Sequence, residues 1–353
     1  LVDVVDVDEK VDRKALLNSI FSTNFVFGAP FIRYVVLKDR QNDTIELLVN
    51  MDHGLYDGTS LRILGGHFGA LQRGELPPKI SSFRDYANHL AYMIPQKREA
   101  ALVYFTDSKR LPTKPLFPNI KDPAATSSVW VPGAISGLEN LAHSMGITVP
   151  TLFQAAFQIW LARITGTLDV SYDYLYTGRN LDIPGLDPQE INGCTANFLP
   201  IRSVLEGSVG DYLRRTQAEF WEATGHGIIG MDDIFQAAGL ERKEYGNRTL
   251  FLFQPFEPSK KSSTRKNSTE EMKWVVMQGS EVTMIQPYGL IFEVHKTQAA
   301  DEYRIKVTYD DRGQTENDAK QYGMGIWSTL CILREKSQDT TVDKCALLPL
   351  EDF

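Results

Sequence analysis

Asp52-His53-Gly54-Leu55-Tyr56-Asp57-Gly58 follows the apolar run Ile45-Glu46-Leu47-Leu48-Val49-Asn50-Met51. Val, Ile and Leu dominate that run, which predicts a strand with the imidazole of His53 at its exit. A carboxylate comes four residues later, with a glycine directly after it. A neutral imidazole near pH 7 suits acceptance of a proton from a nucleophile, or its positioning by a hydrogen bond. The carboxylate can hold the turn in shape, and the glycine lets a substrate approach the backbone. Asp52, one residue before His53 on a strand, is expected on the opposite face and not as a base.

Working outward, the N-terminal part reads β, α, β, β, α, α. A short helix is predicted over 15–22, strands over 32–37 and 45–51, and a helix carrying Leu61, Leu64, Phe68 and Leu71 with Ser60 or Thr59 as N-cap. A second helix is predicted over 83–104, capped by Ser81 or Ser82, with Pro95 expected to kink or split it. Pro112, Pro115, Pro118 and Pro123 make 111–125 the best linker in the chain. Beyond it come a strand over 128–131, helices over 134–145 and 150–164, and a strand over 170–176. Gly146 fits the C-cap of the first helix and Pro150 the first turn of the second. Helices over 209–223 and 232–238, strands over 249–253, 273–277, 289–295 and 303–309, and a closing helix over 317–333 complete the reading. Helices and strands interleave on both sides of the linker. The expectation is α/β with two lobes, 1–115 and 116–353.

Composition excludes several function classes. With 353 residues, 42% hydrophobic and 23% charged, the chain buries a substantial globular core. A formal net charge of -8 argues against nucleic acid, whose phosphates need a basic face. Lys260-Lys261-Ser262-Ser263-Thr264-Arg265-Lys266 reads as a solvated loop. Cys194, Cys331 and Cys345 fit neither a zinc pattern nor a disulfide framework, so no metal is expected and a reducing, cytoplasmic setting is. No apolar run approaches the ~18 residues of a membrane span. The opening Leu1-Val2-Asp3-Val4-Val5, strand-like and without methionine, reads as the start of a piece of a longer polypeptide. No G-x-S-x-G elbow marks a serine hydrolase. Gly225-His226-Gly227-Ile228-Ile229-Gly230 matches G-x-G-x-x-G by letter, but a helix precedes it where a dinucleotide fingerprint needs a strand. His226 is therefore read as a loop residue, and His67, His89, His143 and His295 as surface or helix-face residues.

His53-Gly54-Leu55-Tyr56-Asp57-Gly58 resembles the H-x-x-x-D-G motif of chloramphenicol-acetyltransferase-like acyltransferases, particularly the condensation domains of nonribosomal peptide synthetases. Three further segments match in order. Tyr174 to Asn180 looks like the family's strand ending in G-R, at Gly178-Arg179. Gly193 to Arg202 looks like its G-x-x-x-N-x-x-P-x-R segment, and Leu250 to Gln254 like its strand ending in an amide. The resemblance covers nearly the whole chain. The family's opening strand and helix, about 100 residues, are unmatched, so the N-terminal lobe reads as truncated. Asp52 stands where most members carry a first histidine. Its replacement is familiar among fungal terminal domains that release peptides by cyclisation, and Tyr56 to Leu61 has the same character.

The resemblance implies two acetyltransferase-like lobes in a V with the site in a tunnel between them. It implies His53 as the catalytic residue, as general base or by positioning, and the Gly58 amide as a donor to the oxyanion. Asp57 is implied to be structural, paired with Arg179. Gln254 and Asn197 are substrate-lining candidates, although Asn197 reads better as fixing the turn before Pro200. The domain itself is expected to bind no cofactor. Substrates would arrive on the phosphopantetheine of carrier proteins, and the excised domain would be a monomer without nucleic-acid or membrane partners. Alternatives are a free-standing coenzyme A-dependent acyltransferase, whose D-F-G-W-G segment is not found here, and a non-catalytic carrier-protein docking domain.

Overall fold

The computed structural model describes all residues except 1, 8–11, 22–24, 134, 247, 255–286, 298, 300 and 348–353. The described residues fall into two units. The first takes the chain through Tyr86 together with Asp182–Thr195, and the second takes Ala87–Leu181 and the described residues from Ala196 onward.

In the first unit, β1 (Val2–Val7), β2 (Ile32–Asp39) and β3 (Thr44–Met51) form a sheet in the order β1-β2-β3. β1 runs parallel and β3 antiparallel to β2. Alternation aligns Val35 and Leu37 with Leu48 and Val5 on one face, which closes against Leu16, Leu17 and Ile20 of α1 (Arg13–Phe21). Asp39 stabilises the β2–β3 turn by accepting from the Gln41 and Asn42 backbone N–H groups. After β3 the chain enters α2 (Gly58–Gln72). The N-terminal order β, α, β, β, α, α is the one expected.

α3 (Phe83–Thr106) starts in the first unit and ends in the second. It stays one helix of 24 residues through Pro95, against the expectation of a split. Pro95 removes only the bond to the Ala91 carbonyl, and both residues are exposed, so water replaces the missing donor. Ala101 and Phe105, fully buried, anchor the far end. The proline-rich stretch after α3 is irregular and lies in the second unit, where the Thr113 N–H donates to Ser171 Oγ at 3.1 Å.

The second unit is built on a six-stranded mixed sheet in the order β4-β9-β8-β7-β5-β6. Its strands are β4 (Ser127–Pro132), β5 (Asp169–Tyr176), β6 (Asn197–Val204), β7 (Thr249–Gln254), β8 (Leu290–Lys296) and β9 (Tyr303–Tyr309). β6 pairs with β5 along its whole length although no strand was predicted there. Pro200 disguised it: proline is tolerated because β6 is an edge strand. The strand expected over 273–277 lies outside the described residues.

α4 (Leu138–Ser144) is shorter than predicted, because Gly137 at φ 83 breaks the helix before Leu138. α5 (Val149–Thr165) is the central core helix, buried at every position from Thr151 to Ala162. Thr148 caps it and Gly166 ends it in a left-handed conformation. Its two core glutamines are satisfied: Gln154 and Gln158 both donate to the Tyr172 hydroxyl at 2.8 Å, and the Tyr212 hydroxyl donates to Gln158 at 2.6 Å. α6 (Val209–His226), α7 (Met231–Ala238), the single turn α8 (Arg242–Tyr245), α9 (Glu316–Glu335) and α10 (Val342–Leu347) complete the unit. Among the described residues no single helix is long and apolar enough to cross a membrane.

A buried carboxylate fixes the turn after β9. Asp310 accepts from the Ala124 and Arg312 N–H groups and from the Arg312 guanidinium, which holds its carboxyl down to about 2. A lowered folded value stabilises the fold above the ordinary carboxylate pKa of ~3.9 and is lost as pH falls toward about 2. Asp310→Asn is expected to lower the melting temperature at pH 7 and to flatten the acid limb of a melting-temperature profile over that window. An unchanged acid limb would remove Asp310 from the account.

Candidate active site

β3 ends at Met51, and Asp52 is not a strand residue as expected. It is the N-cap of a single 3₁₀ turn, His53–Leu55, its carboxylate accepting from the Gly54 N–H at 2.8 Å. The Tyr56 N–H closes the turn on the His53 carbonyl at 3.3 Å. Asp52 is thereby occupied in shaping the turn, which agrees with its exclusion as a base. The His53 side chain is exposed. Its ring stacks on that of Tyr56, with centroids 4.5 Å apart and planes 13° from parallel. Burial and the nearby Asp52 charge push the Tyr56 phenol above its ordinary value.

Asp57, and not the expected Ser60 or Thr59, is the N-cap of α2. Its extended backbone brings Oδ1 to the Ser60 N–H at 2.8 Å. Oδ2 accepts from the Thr195 N–H and hydroxyl, both at 3.1 Å. Ser60 Oγ sits 3.0 Å from Asp57 and 2.7 Å from the Gly193 carbonyl, and accepts from the Gly193 N–H at 3.0 Å. One buried carboxylate thus ties the start of α2 to segment 193–195, and the loop carrying His53 runs directly into that knot. Such density of donors is what a buried carboxylate requires. Gly58 is the first residue of α2, so its N–H belongs to the set with no intrahelical partner, at the positive end of a 15-residue helix.

In the second unit, β5 ends at Tyr176, Gly178 takes φ 62, and Arg179 is buried at 5% exposure. Asn197 is the first residue of β6. Its amide donates to the Gly227 and Ile229 carbonyls at 3.0 and 2.9 Å, and its oxygen accepts from the Phe198 N–H at 2.9 Å. Arg202, from the same segment, makes a two-point pair with Asp169 at 2.9 and 2.7 Å. Gln254 is the last residue of β7, half-buried and in register with His295 of β8.

Two histidine expectations need correction. His295 is a buried strand residue, 3.4 Å from Glu293, which also pairs with Lys306 at 3.0 Å. Burial raises the Glu293 carboxyl, but the hydrogen bond with His295 and the Lys306 ammonium outweigh it and hold it below the usual carboxylate range. His226 is the last residue of α6, not a loop residue, and stacks on Tyr104 at 4.4 Å because the helix runs one turn further than its apolar pattern suggests. His67, His89 and His143 lie on helices as expected. The G-x-G-x-x-G letters begin inside α6 and no strand precedes them. Among the described residues there is no metal-ligating cluster, and the three cysteines are free thiols.

Ser60 is visible in the sequence only as a possible N-cap, and the contacts that Tyr56 and Thr195 make are not visible there. The D-x-x-S spacing is the signal for Ser60 as N3 of a helix capped by Asp57, since it places the Ser60 N–H on the cap. Thr195 had no signal, because it meets Asp57 only through folding across 138 positions.

The condensation-domain family model matches residues 26–313. The chain is 40% identical over 346 residues to the nonribosomal peptide synthetase sidE of Aspergillus fumigatus, covering 96% of this chain and 16% of that protein. It is 33% identical to nonribosomal peptide synthetase 7 of the same fungus, covering 91% of this chain and 13% of that one. Among solved structures, the starter condensation domain of rhizomide synthetase superposes with a TM-score of 0.70 at 16% identity, covering 100% of this chain and 80% of that one. A holo four-domain nonribosomal peptide synthetase gives 0.73 at 14% identity, over 97% of this chain and 28% of that one. The expected acetyltransferase-like fold is the one these structures share. With the family motif held in a capped turn, and relatives and folds agreeing, the chain belongs to the condensation-domain family of the nonribosomal peptide synthetases, whose members are amide-forming transferases.

Proposed function

We propose that this domain joins an amine to an acyl or peptidyl group held as a thioester on the phosphopantetheine arm of a carrier protein. The observation that carries the reading is local. An exposed imidazole, fixed in a capped turn, leads straight into a helix whose first residue, Gly58, offers an N–H with no intrahelical partner. The amine nitrogen attacks the thioester carbonyl, and His53 accepts or orients the proton it loses. The carbonyl oxygen becomes an oxyanion, for which the Gly58 N–H is the proposed donor. Collapse breaks the carbon–sulfur bond and the proton passes to the departing thiolate, leaving an amide and a free thiol. Gln254 is proposed as a further polar contact to substrate. No cofactor is needed for these steps, and the working form is a monomer beside its carrier domains.

Within that chemistry the nucleophile is proposed to lie in the donor peptide itself, so that release gives a ring. Asp52 in place of the first histidine, with the flanking Tyr56 to Leu61, supports this. Holding both reacting ends on one arm would supply much of the acceleration through effective molarity. Mass spectrometry of a carrier-bound linear peptidyl thioester, with and without a second loaded carrier, tests it. A cyclic product formed without the acceptor is expected. Release only with an aminoacyl-loaded second carrier would make the domain an elongating one and leave His53 its role.

A further inference from the structure

Between His53 and Asp57, Gly54 and Tyr56 close the 3₁₀ turn through their backbone N–H groups. Tyr56 does more than fill the third place. Its ring lies nearly parallel to the imidazole, 4.5 Å away, while the His53 side chain is otherwise exposed. The turn enforces the meeting. Asp52 caps it at the front, the Tyr56 N–H closes it on the His53 carbonyl, and Tyr56 then turns extended at φ -144 and ψ 156. The phenol side chain is half-buried and so anchored. An unsupported imidazole has a broad torsional well about its last side-chain bond. A flat ring stacked on it removes that freedom at small cost, since aromatic pairs of this geometry attract.

We infer that Tyr56 is a positioning residue for His53, its ring clamping the imidazole in the one plane from which a ring nitrogen meets the attacking amine. This rests on the proposed reading of His53 as the group that handles the amine proton. The Tyr56 hydroxyl neither gives nor takes a proton in the step. Burial and the Asp52 charge favour its protonated form, so it is no base at neutral pH. The clamp therefore needs an aromatic face and not a hydroxyl, which separates it from an acid–base role.

The test compares Tyr56→Phe with Tyr56→Leu, and with Tyr56→Met should the leucine variant not fold. Turnover is read on a carrier-bound peptidyl thioester, with and without an aminoacyl-loaded acceptor carrier. The phenylalanine variant is expected within about twofold of wild type in kcat, and the aliphatic variant about tenfold lower with KM little changed. A histidine-labelled NMR spectrum, assigned with His53→Gln, supplies a signature that a merely structural role would not move. The upfield ring-current displacement of the His53 signals should persist in Tyr56→Phe and vanish in the aliphatic variant. An aliphatic variant at wild-type kcat, a phenylalanine variant as impaired as the aliphatic one, or an unmoved His53 signal would each overturn the inference. If instead folded His53→Ala keeps full turnover, the acid–base reading is what fails, and the ring-current signal still reports the stack.

Discussion

His53→Ala is expected to lower the rate of amide formation by about 10²–10⁴-fold, the usual contribution of a positioned acid–base group. The fold should survive intact. The His53 side chain is exposed, and its turn is held by backbone groups and by Asp52, none of which the substitution removes. Thermal melting of the variant should match wild type while single-turnover acyl transfer collapses. His53→Gln, which can still hydrogen-bond but cannot take a proton near neutral pH, separates the two remaining roles. Substantial recovery in the glutamine variant would mean that the ring orients the amine. Equal loss in both variants would mean that it accepts the proton.

Asp57→Ala is expected to damage the fold more than the chemistry. The substitution removes the cap of α2 and leaves the buried Thr195 N–H and hydroxyl without their acceptor. A lost cap costs about 0.5–2 kcal/mol and each stranded buried donor about 1–3 kcal/mol, so the sum is about 3 kcal/mol or more. Asp57→Asn keeps one acceptor oxygen for the cap and should fall between the two. Denaturant melts of the three proteins check the order. Asp57→Ala melting with wild type would show that the knot with Ser60 and Thr195 carries little stability.

The sequence was most legible where one element decides its own structure. Periodicity located α5 to within a residue at each end because Pro150 marks its first turn and a mostly apolar run, interrupted by Gln154 and Gln158, follows. The β2–β3 pair was legible for a similar reason: two runs rich in Val, Ile and Leu flank a polar turn. Reading failed where a distant partner sets the outcome. α4 begins late because of Gly137 and because Asp301, far along the chain, binds its first N–H groups. β6 stayed hidden because Pro200 is tolerable only on an edge, and edge position is a property of the whole sheet. At the candidate site, the spacing places His53 just past the end of β3 and Gly58 at the turn that follows. The stack on Tyr56 is not legible, because it depends on the 3₁₀ turn over His53–Leu55, where the sequence offers only the exit of a strand.

The central claim is that this domain moves an acyl group and does not merely hold its carrier. Intact-protein mass spectrometry of the acyl-loaded carrier, mixed with the domain and an amine acceptor on its own carrier, tests that most directly. The donor carrier is expected to lose its acyl mass and return to the free phosphopantetheine thiol. The acceptor carrier, or in the cyclising case a released ring, gains that acyl group in amide linkage. Carriers that bind the domain while the donor thioester persists unchanged would contradict it and make this a docking module.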